Sequence, residues 1–598
     1  MFAWTDHELN EEQTAAVLLP GSVFLVACPG SGKTRTLTYK IAHELENLTT
    51  DRQFVIAITY TNRAADEIVS RIEDLGVDTS QLWIGTIHSF CLEWILKPYS
   101  IYSPRLARGF RLIDLHERER LLERLCVPYA GHRVTHFDCE YYVTSAGLQL
   151  GCQDARKHPI IRDVLREYFE TLRASRQIDF ELILWFAHRL LVAHPTISRT
   201  LSRVFSLILV DEYQDTKQIQ YEIIGSILRA GSGQTKLFMV GDPNQAIYGS
   251  LGGYPITLDE LREITQLHIA DRVLSRNYRS SGRIIEYFEH FNVHGTLIEA
   301  FGEDRNYRSL ITYNHTVSKE NLVAEIARLI RHSIQVVGVR ACEICVLAPQ
   351  WIHLAVLTRR LVTEVPEYAF DGPGMVPFSR DIENFWYTVA GLALTEPAPS
   401  MYLRRMRWAQ DILTALSDVG ITLHRIDRKS LLRHCNAIQI VETDGLEYLR
   451  MFFALLFERL GVDYRVHQQL EEHHTAFFAS SLARIERLER EGVRDSRDIM
   501  FFRRVFQDRS GITVSTIHGV KGAEFDVVIA CALLEGMVPH FGDPEGATSA
   551  RKLLYVTGSR ARKNLHLISE TGRQRGGRRG EYTPTIVLEN YEFDYDEN

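Results

Sequence analysis

Ala27-Cys28-Pro29-Gly30-Ser31-Gly32-Lys33-Thr34 stands between two patterned runs. Val23 to Val26 before it reads as a short buried strand, and Thr36 to Leu45 after it reads as a helix. Strand, glycine-rich turn, Gly-Lys-Thr and helix together make the context of a phosphate-binding P-loop. Glycines let backbone N–H groups close around phosphate oxygens, and the helix N-terminus adds positive potential. Lys33 would reach the β- and γ-phosphates, and the Thr34 hydroxyl would hold Mg²⁺. Ala27 departs from the usual spelling, where Gly is commonest. A glycine-rich turn with a chance lysine is the competing reading, and the flanking strand and helix weigh against it.

Working outward, the bulk properties set bounds. A chain of 598 residues predicts about three to five domains at roughly 150 residues each. With 45% hydrophobic and 24% charged residues, the composition is that of an ordinary globular protein. A net charge of −8 argues against a uniformly basic nucleic-acid coat but leaves room for a local basic groove. The nine cysteines are scattered. Cys342-Glu-Ile-Cys345 reads as buried strand thiols rather than a metal site, because structural zinc needs four ligands. Reduced cysteines predict a cytoplasmic protein, and no apolar run is long enough to predict a membrane span.

Several strand-like runs end in chemically loaded loops. Leu9 to Gln13 leads into a helix, and the Gln13 amide can read both edges of adenine. Phe54 to Thr59 reads as a strand ending in Tyr60-Thr61-Asn62-Arg63, which turns into a helix. Trp83-Ile84 leads to Gly85-Thr86-Ile87-His88-Ser89-Phe90; for His88 alone, a satisfied core histidine is the plainer reading. Residues 91–200 have a mostly helical pattern. Leu207 to Val210 is a buried strand ending in Asp211-Glu212-Tyr213-Gln214-Asp215-Thr216. There the first carboxylate can hold the Mg²⁺ hydration shell while the second orients and deprotonates water. Leu237 to Val240 ends in Gly241-Asp242-Pro243-Asn244-Gln245, which places a Gln suited to sensing a γ-phosphate or water. In Asn277-Tyr278-Arg279-Ser280, Arg279 is a candidate arginine finger and Tyr278 a stacking plate for adenine.

This ordered set resembles the superfamily 1A DNA helicases of the UvrD/PcrA/Rep type, over nearly the whole chain. Thr516-Ile517-His518-Gly519-Val520-Lys521-Gly522-Ala523-Glu524-Phe525 is similar to that family's motif V, and Leu553 to Ala561 to its motif VI. The resemblance implies an α/β fold of two RecA-like P-loop motor domains with parallel sheets, each interrupted by a mainly helical insertion. It divides the chain into motor domain 1A (1–90 and 201–281), insertion 1B (91–200), motor domain 2A (282–385 and 511–580), insertion 2B (386–510) and an acidic tail (581–598). It implies that Gln13 contacts adenine, with Arg35 and Tyr278 on its faces. Ala27 to Thr34 would bind the phosphates, and Thr34 and Asp211 the metal. Glu212 would be the base, Gln245 the γ-phosphate sensor, Arg279 and Arg560 paired fingers, and Glu524 the ribose ligand. Tyr60, Thr61, Asn62, Thr86, His88, Tyr248 and His518 would face single-stranded DNA. The cofactors implied are ATP and Mg²⁺, and the partner is single-stranded DNA or a single/double-strand junction, with no membrane.

Departures qualify this. Ser250-Leu251 stands where the family has Trp then Arg, and a lost base stack is worth roughly 1–3 kcal/mol. Ala550 precedes Arg551-Lys552 where the family has an acidic residue, and Gly558-Ser559 replaces an apolar residue and Thr. Phe370 to Met375 resembles the family's Gly-rich segment before the second insertion. Leu431-Leu432, Met451-Phe452-Phe453 and Leu482, Ile485, Leu488 read as helical core stripes. The run Gly572 to Gly580 is either a phosphate contact or a solvated loop, and Glu592 to Glu597 either a mobile tail or a mask for that run. Two functions follow: a 3′→5′ helicase or translocase acting in repair, restart or recombination, or an ATP-gated DNA sensor that licenses a partner nuclease. Short UvrD-like subunits of anti-phage systems such as Gabija are examples of the second class. A self-contained helicase–nuclease is disfavoured, since no further domain follows motif VI.

Overall fold

The computed structural model describes residues 4, 8–113, 115–249, 252–372, 377–378, 384–490, 496–506, 511–543, 545–575 and 580–597. The departure at Ser250-Leu251, residues 373–375 of the Gly-rich segment and residues 576–579 of the Gly/Arg run lie outside these. The chain forms two compact units. One comprises 1–113, 118–320 and 517–598; the other comprises 114–117 and 321–516.

The larger unit is organised on a six-stranded sheet in the order 269–274, 22–27, 236–241, 205–211, 54–59, 82–86. Every pairing in it is parallel. Parallel strands covered on both faces need apolar residues throughout, which is why the runs are continuous rather than alternating. Along Ser22–Ala27, Val23 and Leu25 belong to one core, with Leu37, Ile41, Leu209 and Phe238. Phe24 faces the other, with Ile56, Ile208 and Met239. Parallel alignment puts every strand's C-terminal end at one edge, the edge at which open α/β sheets bind ligands. The P-loop, Tyr60, His88, Asp211 and Asp242 all follow from it.

The same unit carries a second set of parallel strands, Ile311–Asn314, Ala561–Ile568 and Phe525–Ala530. The smaller unit has Ile344–Ala348, Ile512–Thr516 and Phe370–Asp371, also parallel. Its remainder is helical, from Phe385–Leu394 to Ile499–Arg503, around a core that includes Trp386, Phe453 and Ile485.

Within the mostly helical 91–200 region, Tyr141–Thr144 and Gly147–Leu150 form an antiparallel hairpin. Alternation explains it: Tyr141 and Val143 are buried, while Tyr142 and Thr144 are only half-buried. Met451 and Leu482 face solvent rather than core, at 44% and 37% exposure. Cys345 is buried in its strand, but Cys342 lies in a half-buried turn before it. The acidic end is neither loose nor laid on the described part of the Gly/Arg run. Tyr591, Phe593 and Tyr595 pack around Tyr287, with His290 stacked on Tyr591 at 3.7 Å. Asp596 accepts from Arg283 Nη1 (2.6 Å) and from the Ile311 N–H (2.7 Å). Among the described residues no helix is long and apolar enough to cross a membrane.

Candidate functional site

The helix Glu11–Leu18 begins in a capping box. The Asn10 side chain accepts from the Gln13 N–H at 2.8 Å, and Gln13 Oε1 accepts from the Asn10 N–H at 3.0 Å. Gln13 Nε2 donates to the Ser31 carbonyl at 2.9 Å. These bonds tie Gln13 to the P-loop and leave one N–H and one lone pair of its amide free at the edge of the cleft.

The P-loop leaves the strand at Ala27 and turns through Cys28 to Gly32. Gly30 and Gly32 have φ of +68° and +80°, a region that glycine enters without strain. A Cβ on Gly30 would lie 2.5 Å from Arg279 Cβ, and one on Gly32 would lie 2.5 Å from Gln13 Nε2. The Ser31 hydroxyl donates to the Cys28 carbonyl at 2.7 Å. Burial and the Asp242 charge push the Cys28 thiol up to about 12, so it is a packing group and not a nucleophile. The helix Lys33–Glu46 starts at Lys33, with no side-chain cap on its first N–H groups.

A cleft of about 1300 Å³ opens over this loop. Gln13, Gly30 to Arg35, Glu212, Gln245, Tyr278, Arg279, Glu524 and Arg560 line it, a set drawn from places more than 500 residues apart in the chain. Asn10, Arg276 and Phe301 line it too and were not anticipated. Asn10 Nδ2 donates to the Tyr278 hydroxyl at 2.7 Å, Phe301 meets Tyr278 edge-on at 5.4 Å, and Arg276 lies over Phe301 at 4.9 Å. Asn10-x-x-Gln13 was legible as a capping box; nothing local marks Phe301. Arg35 lines the same cleft, with Nη1 on the Glu8 carbonyl at 3.3 Å.

Asp211 and Glu212 end the Phe205–Asp211 strand. Glu212 has φ +54° and ψ +48°, a left-handed conformation that costs a non-glycine residue about 1–2 kcal/mol. The Asp211 carboxylate offsets part of this by accepting the Glu212 N–H at 3.0 Å. Burial and the Glu212 charge push the Asp211 carboxyl up to about 7. Burial also works to raise Glu212, but Lys33, Lys521, the Gln214 amide and Arg560 outweigh it and hold that carboxyl below its usual range. Two adjacent acids with opposite shifts suit two different roles.

The cations are placed by their partners. Arg560 is 1% exposed. It donates to Gln245 Oε1 (2.7 Å), Ser559 Oγ (3.0 Å) and the Ala523 and Val556 carbonyls (3.3 Å each). Burial and the Arg279 charge pull its guanidinium down to about 9. Gln245 Nε2 bonds Asp242 at 2.8 Å, so Gln245 bridges Asp242 and Arg560. Arg279 is paired with Glu524 at 2.6 Å and with the Ser559 carbonyl at 3.0 Å. Glu524, expected at a ribose, is thus held by Arg279 and by Arg562 at 3.2 Å.

The residues expected on single-stranded DNA divide. Tyr60 stacks on Tyr248 at 5.3 Å, and Tyr248 adjoins the His518 ring at 5.4 Å. The Tyr248 hydroxyl donates to the His518 carbonyl at 3.2 Å, so the three form one column. Thr61 and Thr86 serve as helix N-caps, accepting from the Ala64 and Ser89 N–H groups. The Asn62 side chain lies outside the described residues. His88 meets Phe180 edge-on at 5.5 Å, and its Nε2 is buried without a hydrogen-bond partner, so it is not a satisfied core histidine.

Lys521, unassigned from sequence, joins the two halves. Its ammonium bonds Asp215 and the Gln245 carbonyl (2.9 Å), lies 3.9 Å from Glu212 and sits 5.5 Å over the Tyr248 ring. Among the described residues no group of three or more His, Cys, Asp or Glu could by itself hold a metal ion.

Two family models match. The UvrD/REP helicase N-terminal domain covers residues 9–265, and the UvrD-like helicase C-terminal domain covers 502–572. Together they span more than half of the chain, and they fit two RecA-like motor domains. The chain is 30% identical over 299 residues to the ATP-dependent DNA helicase UvrD1 of Mycobacterium tuberculosis, a match covering 46% of the chain and 38% of that protein's length. It is 24% identical to the ATP-dependent DNA helicase Rep of Buchnera aphidicola, over 93% of the chain and 94% of Rep. It is also 24% identical to the ATP-dependent DNA helicase PcrA of Bacillus subtilis, over 95% and 83%. By these matches, and by the order of its motifs, the chain belongs to the UvrD/Rep-type superfamily 1A helicase family.

Proposed function

We propose that the chain is an ATP-dependent DNA helicase or translocase that moves 3′→5′ on single-stranded DNA, with Mg²⁺ as the ion bound beside ATP. The observation that carries this reading is the unbroken set of contacts from Arg560 through Gln245 and Lys521 to Tyr248. It joins the cleft over the P-loop to the aromatic column through side-chain contacts.

In the cleft, the Lys33 ammonium and the P-loop N–H groups bind the phosphates. Glu212, kept ionised by its cationic neighbours, takes a proton from the attacking water as the bond to the β-phosphate oxygen breaks. Arg560 and Arg279 place positive charge around the phosphoryl group in transfer, where a loosely bonded transition state spreads its negative charge. Arg279 must first exchange Glu524 for the nucleotide, which links binding to a rearrangement of the 518–562 segment. Thr34 and Asp211 supply hydroxyl and carboxylate oxygens, the donors Mg²⁺ takes when phosphates and water fill its other positions. Bound there, Mg²⁺ would neutralise charge on the β- and γ-phosphates.

Strand displacement on duplexes carrying a 3′ or a 5′ single-stranded tail tests this, with Lys33→Ala as control. ATP-dependent displacement from the 3′ tail, absent in Lys33→Ala, is expected. Displacement from the 5′ tail alone overturns the polarity. Hydrolysis without displacement from either tail favours an ATP-gated DNA-binding subunit acting with a partner nuclease.

A further inference from the structure

The turn after Tyr248 is walled by two other segments. Its Gly252 lies against the ring of Tyr142, from the hairpin: a Cβ at Gly252 would be 3.0 Å from Tyr142 Cδ2 and 3.2 Å from Cγ. Gly249 faces Glu545 of the loop that follows Gly536: a Cβ at Gly249 would be 4.0 Å from Glu545 Oε1. That loop in turn meets the hairpin's exit, where a Cβ at Gly542 would lie 3.4 Å from Gln153 Oε1. Two segments far apart in sequence, the hairpin and this loop, therefore flank Gly249 and Gly252.

On this loop Phe541 is 79% exposed, more than any other aromatic side chain among the described residues. One face of its ring is backed by His540 at 4.2 Å and 37°. The loop that presents it is bonded along its length. The Phe541 N–H donates to the Gly536 carbonyl (3.1 Å), the Asp543 N–H to the His540 carbonyl (2.8 Å) and the Gly542 N–H to His540 Nδ1 (3.3 Å). A solitary exposed apolar residue needs no explanation. A phenyl ring backed by His540 and held on a braced loop, whose Glu545 faces Gly249 next to Tyr248 of the Tyr60–Tyr248–His518 column, is a different matter. Neither Ser250 nor Leu251 is aromatic.

The geometry points to Phe541 as a nucleobase-stacking residue, with His540 as its backing, which extends the aromatic column along a bound single strand. The inference rests on the single-strand reading above. It deepens that reading by naming a contact outside the column, and by supplying a base stack where residues 250–251 offer none. The ligand it takes is any unpaired base, since every base has a π-face; stacking of this kind is insensitive to sequence and to salt.

The test is binding of a fluorescein-labelled oligothymidylate, and of an abasic oligomer of equal length, by wild type, Phe541→Ala and Phe541→Trp. Phe541→Ala is expected to weaken oligothymidylate binding about 5- to 150-fold, the range supplied by one base–aromatic stack. Phe541→Trp should restore it. On the abasic oligomer, wild type and Phe541→Ala should bind alike, and the salt dependence of binding should be the same in both. ATP hydrolysis without DNA should not change. Equal oligothymidylate binding by Phe541→Ala and wild type overturns the inference alone. So does a loss that persists in full on the abasic oligomer, because that would be a structural effect. Failure of the wild type to bind the oligothymidylate overturns the single-strand reading itself, and the Phe541 contact with it.

Discussion

Replacing Gly30 by alanine probes the contact on which the cleft depends. Gly30 has φ +68°, where a Cβ costs about 1–2 kcal/mol. The new methyl would sit 2.5 Å from Arg279 Cβ, 3.1 Å from Asn277 Oδ1 and 3.2 Å from the Arg279 nitrogen. Two of these are fixed by the backbone or by hydrogen bonds: Asn277 Oδ1 accepts from Arg279 N at 2.8 Å, and the Gly30 carbonyl accepts from Tyr278 N at 2.9 Å. The segment must move as a whole, at about 1–3 kcal/mol by the usual cost of overpacking. Gly76→Ala is the control, since Gly76 has φ +74° but nothing within 4 Å of the added Cβ. The difference between the two variants, about 1–3 kcal/mol of folding stability, is the contact alone. Urea unfolding should show Gly30→Ala less stable than Gly76→Ala by that amount. Equal stabilities in the two variants would refute the claim that Gly30 is glycine because the Tyr278–Arg279 segment presses on it.

Other outcomes follow from the same contacts. Arg560→Ala should lower ATP turnover by about 10³-fold or more, as loss of an arginine finger does, while nucleotide still binds; this is read by single-turnover hydrolysis. Asp179 accepts from the Tyr141 hydroxyl (2.8 Å), the Tyr168 hydroxyl (2.7 Å) and the Leu182 N–H (3.1 Å), so Asp179→Ala should destabilise the larger unit by about 3–5 kcal/mol, seen as a lowered thermal midpoint. Asp596→Ala leaves the Ile311 N–H without its acceptor and Arg283 with only the Ser309 and Asp594 carbonyls, and should cost about 1–3 kcal/mol in the same assay. His88 is held down to about 4 by burial and the Lys217 charge, below its ordinary 6.5. The unfolded chain therefore takes up a proton that the folded chain refuses, and stability falls as pH drops from 6.5 toward 4, by about 3 kcal/mol in full. His88→Phe should flatten that part of the pH–stability profile.

The first sheet was legible where a buried strand ends in residues that phosphate chemistry requires. Val23 to Val26 before Cys28 and Leu207 to Val210 before Asp211 combine an apolar run with a loaded loop, and each signal is local. Ile269–Leu274 escaped because it is an edge strand with Asp271 and Arg272 exposed, so no continuous run marks it. The hairpin 141–150 was hidden among helical patterns, although Tyr141 and Val143 alternate with half-buried residues. In the tail, Tyr591, Phe593 and Tyr595 alternate with acids, and that period of two, rather than net charge, was the informative signal. The site residues were legible as a set, because their spacing is the family's. Their present partners were not. That Arg279 bonds Glu524, that Gln13 bonds Ser31 and that Lys521 lies between Asp215 and Tyr248 are long-range pairings, and no local pattern encodes them.

Steady-state ATP hydrolysis by the purified chain, with and without single-stranded DNA, tests the link between cleft and column most directly. Turnover that rises at least tenfold on adding DNA, and loses that rise in Tyr248→Ala while keeping its basal rate, is the expected result. Turnover indifferent to DNA, or a DNA response unchanged in Tyr248→Ala, would contradict a route from Tyr248 through Lys521 and Gln245 to Arg560.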